Sequence, residues 1–221
     1  MRIRRLIIES NDKLAWKLEE PELISYAIEV AKLWLDRELK DKGRVTADLL
    51  NKACGILAEE IFAAALNQLN VPHIRTLPLL AKKHSVNYDK PFDVKIGSST
   101  IDVKSIAPLP PPSGHHSNLN VNKSELEHYG KCDLYIASKC YPELPAEQRP
   151  KQISKEWAKA ILNKIDRIDF IGYAEADELI KEANLQRSYG FYTLKPPFHS
   201  MQHDFALRFN IDLKQLKSAS D

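Results

Sequence analysis

The sequence predicts an α/β domain in which helices cover a sheet, and three observations carry that prediction. Two long stretches, 22–40 and 47–69, repeat apolar residues at helical spacing. After them the period shortens to the alternation of strands. From there to the end, short helical and strand-like runs follow one another, and such a mixed order argues for one layered α/β domain. The 221 residues are enough for a single domain with a substantial core.

Residues 2–8 alternate well enough to form a short strand or arm. In 22–40, Leu23, Ala27, Val30, Ala31, Trp34 and Leu35 form one stripe. Pro21 sits where a first helical turn tolerates it, and Gly43 is a plausible stop. Thr46 or Asp48 is placed to cap the second helix, whose apolar set from Leu49 to Leu69 is broad enough for hard packing against a sheet.

Strands are expected at 73–80, 92–96 and 100–106, the last two joined by a tight turn at Gly97-Ser98-Ser99. The Pro- and Ser-rich segment 107–118 reads as a loop. Beyond it, helices are expected at 122–130, 153–165 and 174–184. Strands are expected at 134–137, 169–172 and 190–194. The tail 205–216 reads as a strand running into a short helix.

Composition is that of an ordinary globular chain, with 43% apolar and 28% charged residues. No apolar run approaches the roughly 20 residues needed to cross a bilayer, and the start lacks the pattern of a signal peptide. The expected location is the cytoplasm. The three cysteines, Cys54, Cys132 and Cys140, have no partners at zinc-finger spacing and cannot form a closed disulfide set. A net charge of +2 shows no bulk basicity, so any nucleic-acid surface must be concentrated on one face.

The chemistry concentrates in residues 92–105. Asp102 and Lys104 lie two apart on one expected strand and therefore share a face, while Ile101 and Val103 point to the core. The hairpin returns Asp93 close to them. Two carboxylates at one end of a hairpin suit a hard cation such as Mg²⁺. A neighbouring ammonium can orient water or stabilise charge on phosphate.

Asp93, eight intervening residues, and then Asp102-Val103-Lys104 resemble the signature of the PD-(D/E)XK, or restriction-endonuclease-like, nuclease superfamily. Pro91 and Phe92 precede Asp93, so the proline stands one place away from the family's Pro-Asp pair. Gly55-Ile56-Leu57-Ala58-Glu59 looks like the Gly-x-x-x-Glu helix of archaeal junction resolvases, with Glu60 as the alternative acidic residue. The resemblance spans about residues 50–140.

It implies a restriction-endonuclease-like α/β/α sandwich with a central mixed sheet flanked by helices. It implies Asp93, Asp102 and the carbonyl of Val103 as ligands of Mg²⁺, with Glu59 binding the ion directly or through water, Mn²⁺ able to substitute, and Lys104 beside the attacking water. The implied activity is hydrolysis of DNA phosphodiester bonds, most simply endonucleolytic, on double-stranded or branched DNA. The domain then divides into a helical extension at 1–45, a catalytic core at 46–140 and a completing segment at 141–221.

Ser105, His115, His116, Asn122 and Lys123 are candidate substrate contacts, although a solvated loop explains the histidine pair equally well. His199 and His203 have the i, i+4 spacing of a helical zinc pair, but Pro196-Pro197 precedes them and no strong third ligand accompanies them. Local basic groups at Arg2, Arg4 and Arg5, at Lys82-Lys83-His84, and at Lys151, Lys155 and Lys159 can be read as phosphate contacts or as solvated faces. The stripe on 22–40 is a candidate homodimer surface. The competing readings are a non-catalytic DNA- or partner-binding module with the same fold, and a structural protein whose charges are surface pairs.

Overall fold

The computed structural model describes residues 6–8, 13–17, 21–42, 49–76, 92–108, 119–123, 126, 132–145, 150, 154–182, 184–186, 191–194 and 198–213. Helix α1 (Pro21–Lys42) begins at the proline, as the fixed φ of that residue favours. Helix α2 (Leu49–Gln68) is apolar almost all round. Such a helix has to be enclosed, and α1, α3 (Lys155–Leu162) and the sheet all pack against it. Ser154 caps α3 by accepting the N–H of Trp157 at 3.1 Å.

The main sheet contains β1 (Leu6–Ile8), β2 (Leu14–Lys17), β3 (Ile74–Arg75), β4 (Val94–Ile96), β5 (Ser99–Ile106), β7 (Leu134–Tyr141) and β8 (Arg167–Glu175). Its spatial order is β1-β2-β8-β7-β5-β4-β3. Only β5 and β7 run parallel; the other neighbours are antiparallel, so the sheet is mixed. A small antiparallel sheet takes β6 (Leu119–Asn122), β10 (Phe191–Leu194) and β9 (Asn184–Gln186).

Alternation along the central strands divides the interior in two. Ile101, Val103, Leu134, Ile136 and Phe170 join Leu57, Ile61 and Leu66 of α2 in the larger core. On the other side Tyr135, Ala137 and Ala174 meet Val121, Leu126 and Leu179, the last from α4 (Ala176–Glu182). The result is a mixed α/β fold with helices on both sides of the sheet.

In β8 the alternation slips by one. Ala137 pairs with Gly172 but the next residue, Ser138, pairs with Phe170, leaving Ile171 as the extra residue of a bulge. Tyr173 therefore returns to the face that holds Phe170, and both reach the larger core. The sequence predicts a strand ending at Gly172. The glycine instead lies inside a strand that continues three residues beyond it, where it accommodates the bulge and a segment crossing over it.

Other segments differ from expectation in extent. The strand expected at 73–80 is described only as Ile74–Arg75. The strand expected at 134–137 continues to Tyr141 through Ser138 and Lys139, polar residues that end the apolar run from Leu134. Strands β2, β6 and β9 carry no strong alternation and were not expected. Asn122, the first residue of the helix expected at 122–130, ends β6; most of that helix lies outside the described residues.

The tail forms no strand at residue 205. A π-helical turn, Met201–Phe205, runs into a short helix α5 (Ala206–Arg208). The Phe205 N–H reaches the Ser200 carbonyl at 3.0 Å, one residue further back than in an α-helix. Phe205 is fully buried and makes edge contact with Phe62 of α2, which in turn meets Phe170. Burial of these rings explains why the chain turns inward there.

Candidate functional site

The turn of the β4–β5 hairpin is Gly97-Ser98, with Gly97 at a positive φ of 59° that glycine adopts without strain. The register places Val94 opposite Ile101 and Lys95 opposite Thr100. Immediately before the paired residues stands Asp93, buried and held by all of its polar groups. Its N–H donates to the Ile101 carbonyl at 2.9 Å, and its carbonyl accepts the Thr76 N–H at 3.2 Å. Its carboxylate Oδ2 accepts the Val103 N–H at 2.9 Å.

Asp102 and Lys104 flank Val103 on β5 and share a face, as the alternation requires. Lys104 Nζ lies 2.8 Å from Asp102 Oδ2, with both side chains largely covered. Parallel pairing sets Asp102 beside Tyr135 and Lys104 beside Ala137 on β7. The pair thus borders the smaller core, on the side of the sheet opposite α2. The Tyr135 hydroxyl accepts the Cys132 N–H at 3.3 Å. Burial, and then the nearby charge of Asp102, push ionisation of Tyr135 far above the ordinary tyrosine range.

The helix contributes differently from the hairpin. Glu59 is half-buried on α2. Glu60 is tied to β3: Arg75 Nη1 donates to Glu60 Oε2 at 2.9 Å, and Nη2 stands 2.6 Å from Oε1 as a close charge contact. Thr76, the next residue, supplies the N–H that holds the Asp93 carbonyl, and its hydroxyl donates to the Phe92 carbonyl.

The structure therefore brings Asp102 to Lys104 and Asp93 to the backbone between them. Among the described residues, no three His, Cys, Asp or Glu side chains converge closely enough to hold a metal ion as they stand. Arg75, Thr76 and Tyr135 are the neighbours that sequence reasoning missed. Their roles arise from tertiary pairings that no local pattern encodes.

Of the candidate substrate contacts, Ser105 lies on the α2 side of β5, its Oγ 3.5 Å from Cys140 Sγ, and so faces away from Lys104. Asn122 pairs with Phe191 in the small sheet, and Lys123 follows it half-buried. His115, His116, Lys82-Lys83-His84, Arg2, Arg4, Arg5 and Lys151 lie outside the described residues, whereas Lys155 and Lys159 are exposed on α3.

Two further polar groups lie away from the hairpin. His199 crosses Gly172 and exchanges two backbone hydrogen bonds with Tyr173, at 3.1 and 3.0 Å. Its ring stacks on that tyrosine, and Nε2 meets Glu178 at 2.6 Å. Asp204 meets a different histidine: its Oδ1 lies 3.0 Å from His203 Nδ1, and its Oδ2 accepts the Ser200 N–H at 2.9 Å. On the far end of β7 and β8, Arg167 grips Asp169, which is 1% exposed, while lying over the Tyr141 ring.

No family model, curated protein or solved structure matches this chain. No helix among the described residues is long and apolar enough to cross a membrane.

Proposed function

We propose that the chain is a Mg²⁺-dependent nuclease of the PD-(D/E)XK, restriction-endonuclease-like type, acting on the phosphodiester bonds of DNA. The observation that carries this reading is the arrangement around Val103. Asp102 and Lys104 form a close pair on one face of β5, and the strand's backbone between them binds the carboxylate of Asp93. The connectivity supports the same reading. A helix, three antiparallel strands and then a strand parallel to the third follow the order that the motif implies.

The donor set fits a hard divalent ion in chemistry. It consists of carboxylate and carbonyl oxygens, with no thiolate or imidazole among the motif residues. A carboxylate offers several lone pairs, and Oδ2 of Asp93 uses one of them on the Val103 N–H. Asp93, Asp102 and the Val103 carbonyl would hold the ion, with Asp102 exchanging its contact with Lys104 for one with the metal. A bound ion supplies Lewis acidity to a phosphate oxygen. Lys104 would then be placed to orient a water and to stabilise charge developing on phosphate.

The test is cleavage of supercoiled, linear and branched DNA in Mg²⁺ or Mn²⁺. The unaltered chain is expected to cleave. Asp102→Ala and Lys104→Ala are expected to lower the rate by about a hundredfold or more. Absence of cleavage by the unaltered chain, across these substrates and RNA, would favour a non-catalytic binding module instead.

A further inference from the structure

We propose that Phe92 stacks on an unpaired nucleobase beside the Asp102–Lys104 pair, so that the strand taken by this site is single-stranded or locally unpaired DNA; the proposal rests on the nucleic-acid reading above and requires no metal ion. The pair borders the smaller core. Among the described residues, Tyr135, Phe92 and Phe198 are the aromatic side chains that join that core or pack on it. Tyr135 is buried within it. Phe92 and Phe198 are only half-buried and lie on its rim.

The two rim residues stand at different distances from the pair. Phe198 lies over Gly172 of β8, two strands beyond β5. Phe92 directly precedes Asp93, whose Oδ2 accepts the Val103 N–H from between Asp102 and Lys104. The strand it leads into, β4, is the direct neighbour of β5, and neighbouring strands are about 5 Å apart. Phe92 is thus the partly exposed ring that the hairpin itself brings to the pair.

Its backbone is fixed on both sides. The Phe92 carbonyl accepts the Thr76 hydroxyl, and the next residue gives its N–H to the Ile101 carbonyl at 2.9 Å. A group already held in place loses little freedom when it binds. An aliphatic side chain would cover the core equally well. A ring adds a π-face, and every nucleobase has one to lay against it. Lys104, on the same side of the sheet, carries the charge that attracts a backbone phosphate. A phosphate drawn to Lys104 leaves its own base or the next within reach of Phe92. In an intact duplex that base has to be unstacked first, at a cost that an unpaired strand avoids.

The experiment is fluorescence anisotropy with a labelled oligothymidylate of about twelve nucleotides, with the same sugar-phosphate chain lacking its bases, and with a blunt duplex. EDTA is present so that nothing is cleaved, and melting temperatures are measured on the same samples. The unaltered chain is expected to bind the intact strand about tenfold tighter than the abasic one, and tighter than the duplex. Phe92→Leu, which keeps apolar cover, is expected to bring the ratio of intact to abasic affinity close to one. Phe92→Tyr, which keeps the ring, is expected to retain it. A merely structural ring would lower the melting temperature and weaken both strands equally, which would overturn the proposal. So would equal binding of intact and abasic strands by the unaltered chain, a result that needs no variant to fold. Failure of the unaltered chain to bind the single strand would overturn it as well. Cleavage of DNA in Mg²⁺ with no such dependence on Phe92 would remove this proposal and leave the nuclease reading. Dependence on Phe92 without cleavage of any nucleic acid would do the reverse.

Discussion

Gly172 and Phe198 approach so closely that a Cβ placed on the glycine would lie 2.5 Å from the Cβ of Phe198 and 2.8 Å from the carbonyl oxygen of His199. The glycine φ of 154° adds a backbone conformation that L side chains rarely adopt. Gly172→Ala must therefore push the 198–199 segment off β8, breaking its paired hydrogen bonds with Tyr173. A loss of about 2–3 kcal/mol is expected in urea unfolding. Gly55 is the control. A Cβ there meets nothing within 4 Å inside a helix, so Gly55→Ala should raise stability by about 0.5–1 kcal/mol. Equal effects at the two glycines would show that the close crossing is not formed.

Asp93 separates structural from chemical loss. Asp93→Ala leaves the Val103 N–H without its acceptor in a buried setting, a cost of about 1–3 kcal/mol. Asp93→Asn keeps an acceptor oxygen and should retain most of the stability, while losing the charge that a divalent ion requires. Denaturation and Mn²⁺ titration of both variants check this. Asn binding Mn²⁺ as well as the unaltered chain would remove Asp93 from the ligand set.

Helices α1 and α2 and the β4–β5 hairpin were legible because each carries its own local signal: a 3.6-residue stripe, a run of alternating residues, or a glycine-containing turn. The pairing of Asp102 with Lys104 followed from the same period of two. The bulge at Ile171 was not legible, because a glycine inside a strand looks like a strand end until the segment crossing it is known. Nor was the tie between Glu60 and Arg75, fifteen residues apart, because either charge alone reads as a solvated surface residue. The inward turn at Phe205 was equally hidden; its aromatic partners lie on α2 and β8.

Asp204 gives the acid side of the stability profile a predictable slope. The His203 side chain, and next the Ser200 N–H, hold its carboxyl below the ordinary value of 3.8. A depressed folded-state value favours the folded chain above the unfolded value. That contribution is lost as pH falls through the folded value. Asp204→Asn should therefore flatten the fall in melting temperature below about pH 4, and change the profile little in shape near neutrality. An unchanged acid limb would show that the contact with His203 does not persist in solution.

Tyr135 governs the opposite limb. Its raised ionisation means that above the ordinary value of 10.0 the unfolded chain loses this proton while the folded chain keeps it. Stability from this source is complete below pH 10.0 and declines as pH rises toward the folded value. Tyr135→Phe should flatten that decline, and Asp102→Asn should let Tyr135 ionise at a lower pH, because the charge of Asp102 is the second cause of the shift. Absorbance titration of tyrosinate, with melting curves over the same range, reads both effects.

Arg167 and Asp169 predict an unequal pair of losses. Asp169 is 1% exposed on its side chain, whereas Arg167 is 35% exposed. Arg167→Met removes a cation from beside a buried carboxylate, and breaking such a pair from the exposed side costs about 3 kcal/mol. Asp169→Asn leaves an arginine that can turn toward water and an amide that can still hydrogen-bond, for a loss of about 1 kcal/mol. Urea unfolding of both variants at neutral pH tests the order. A larger loss for Asp169→Asn would mean that Asp169 is held chiefly by groups other than Arg167.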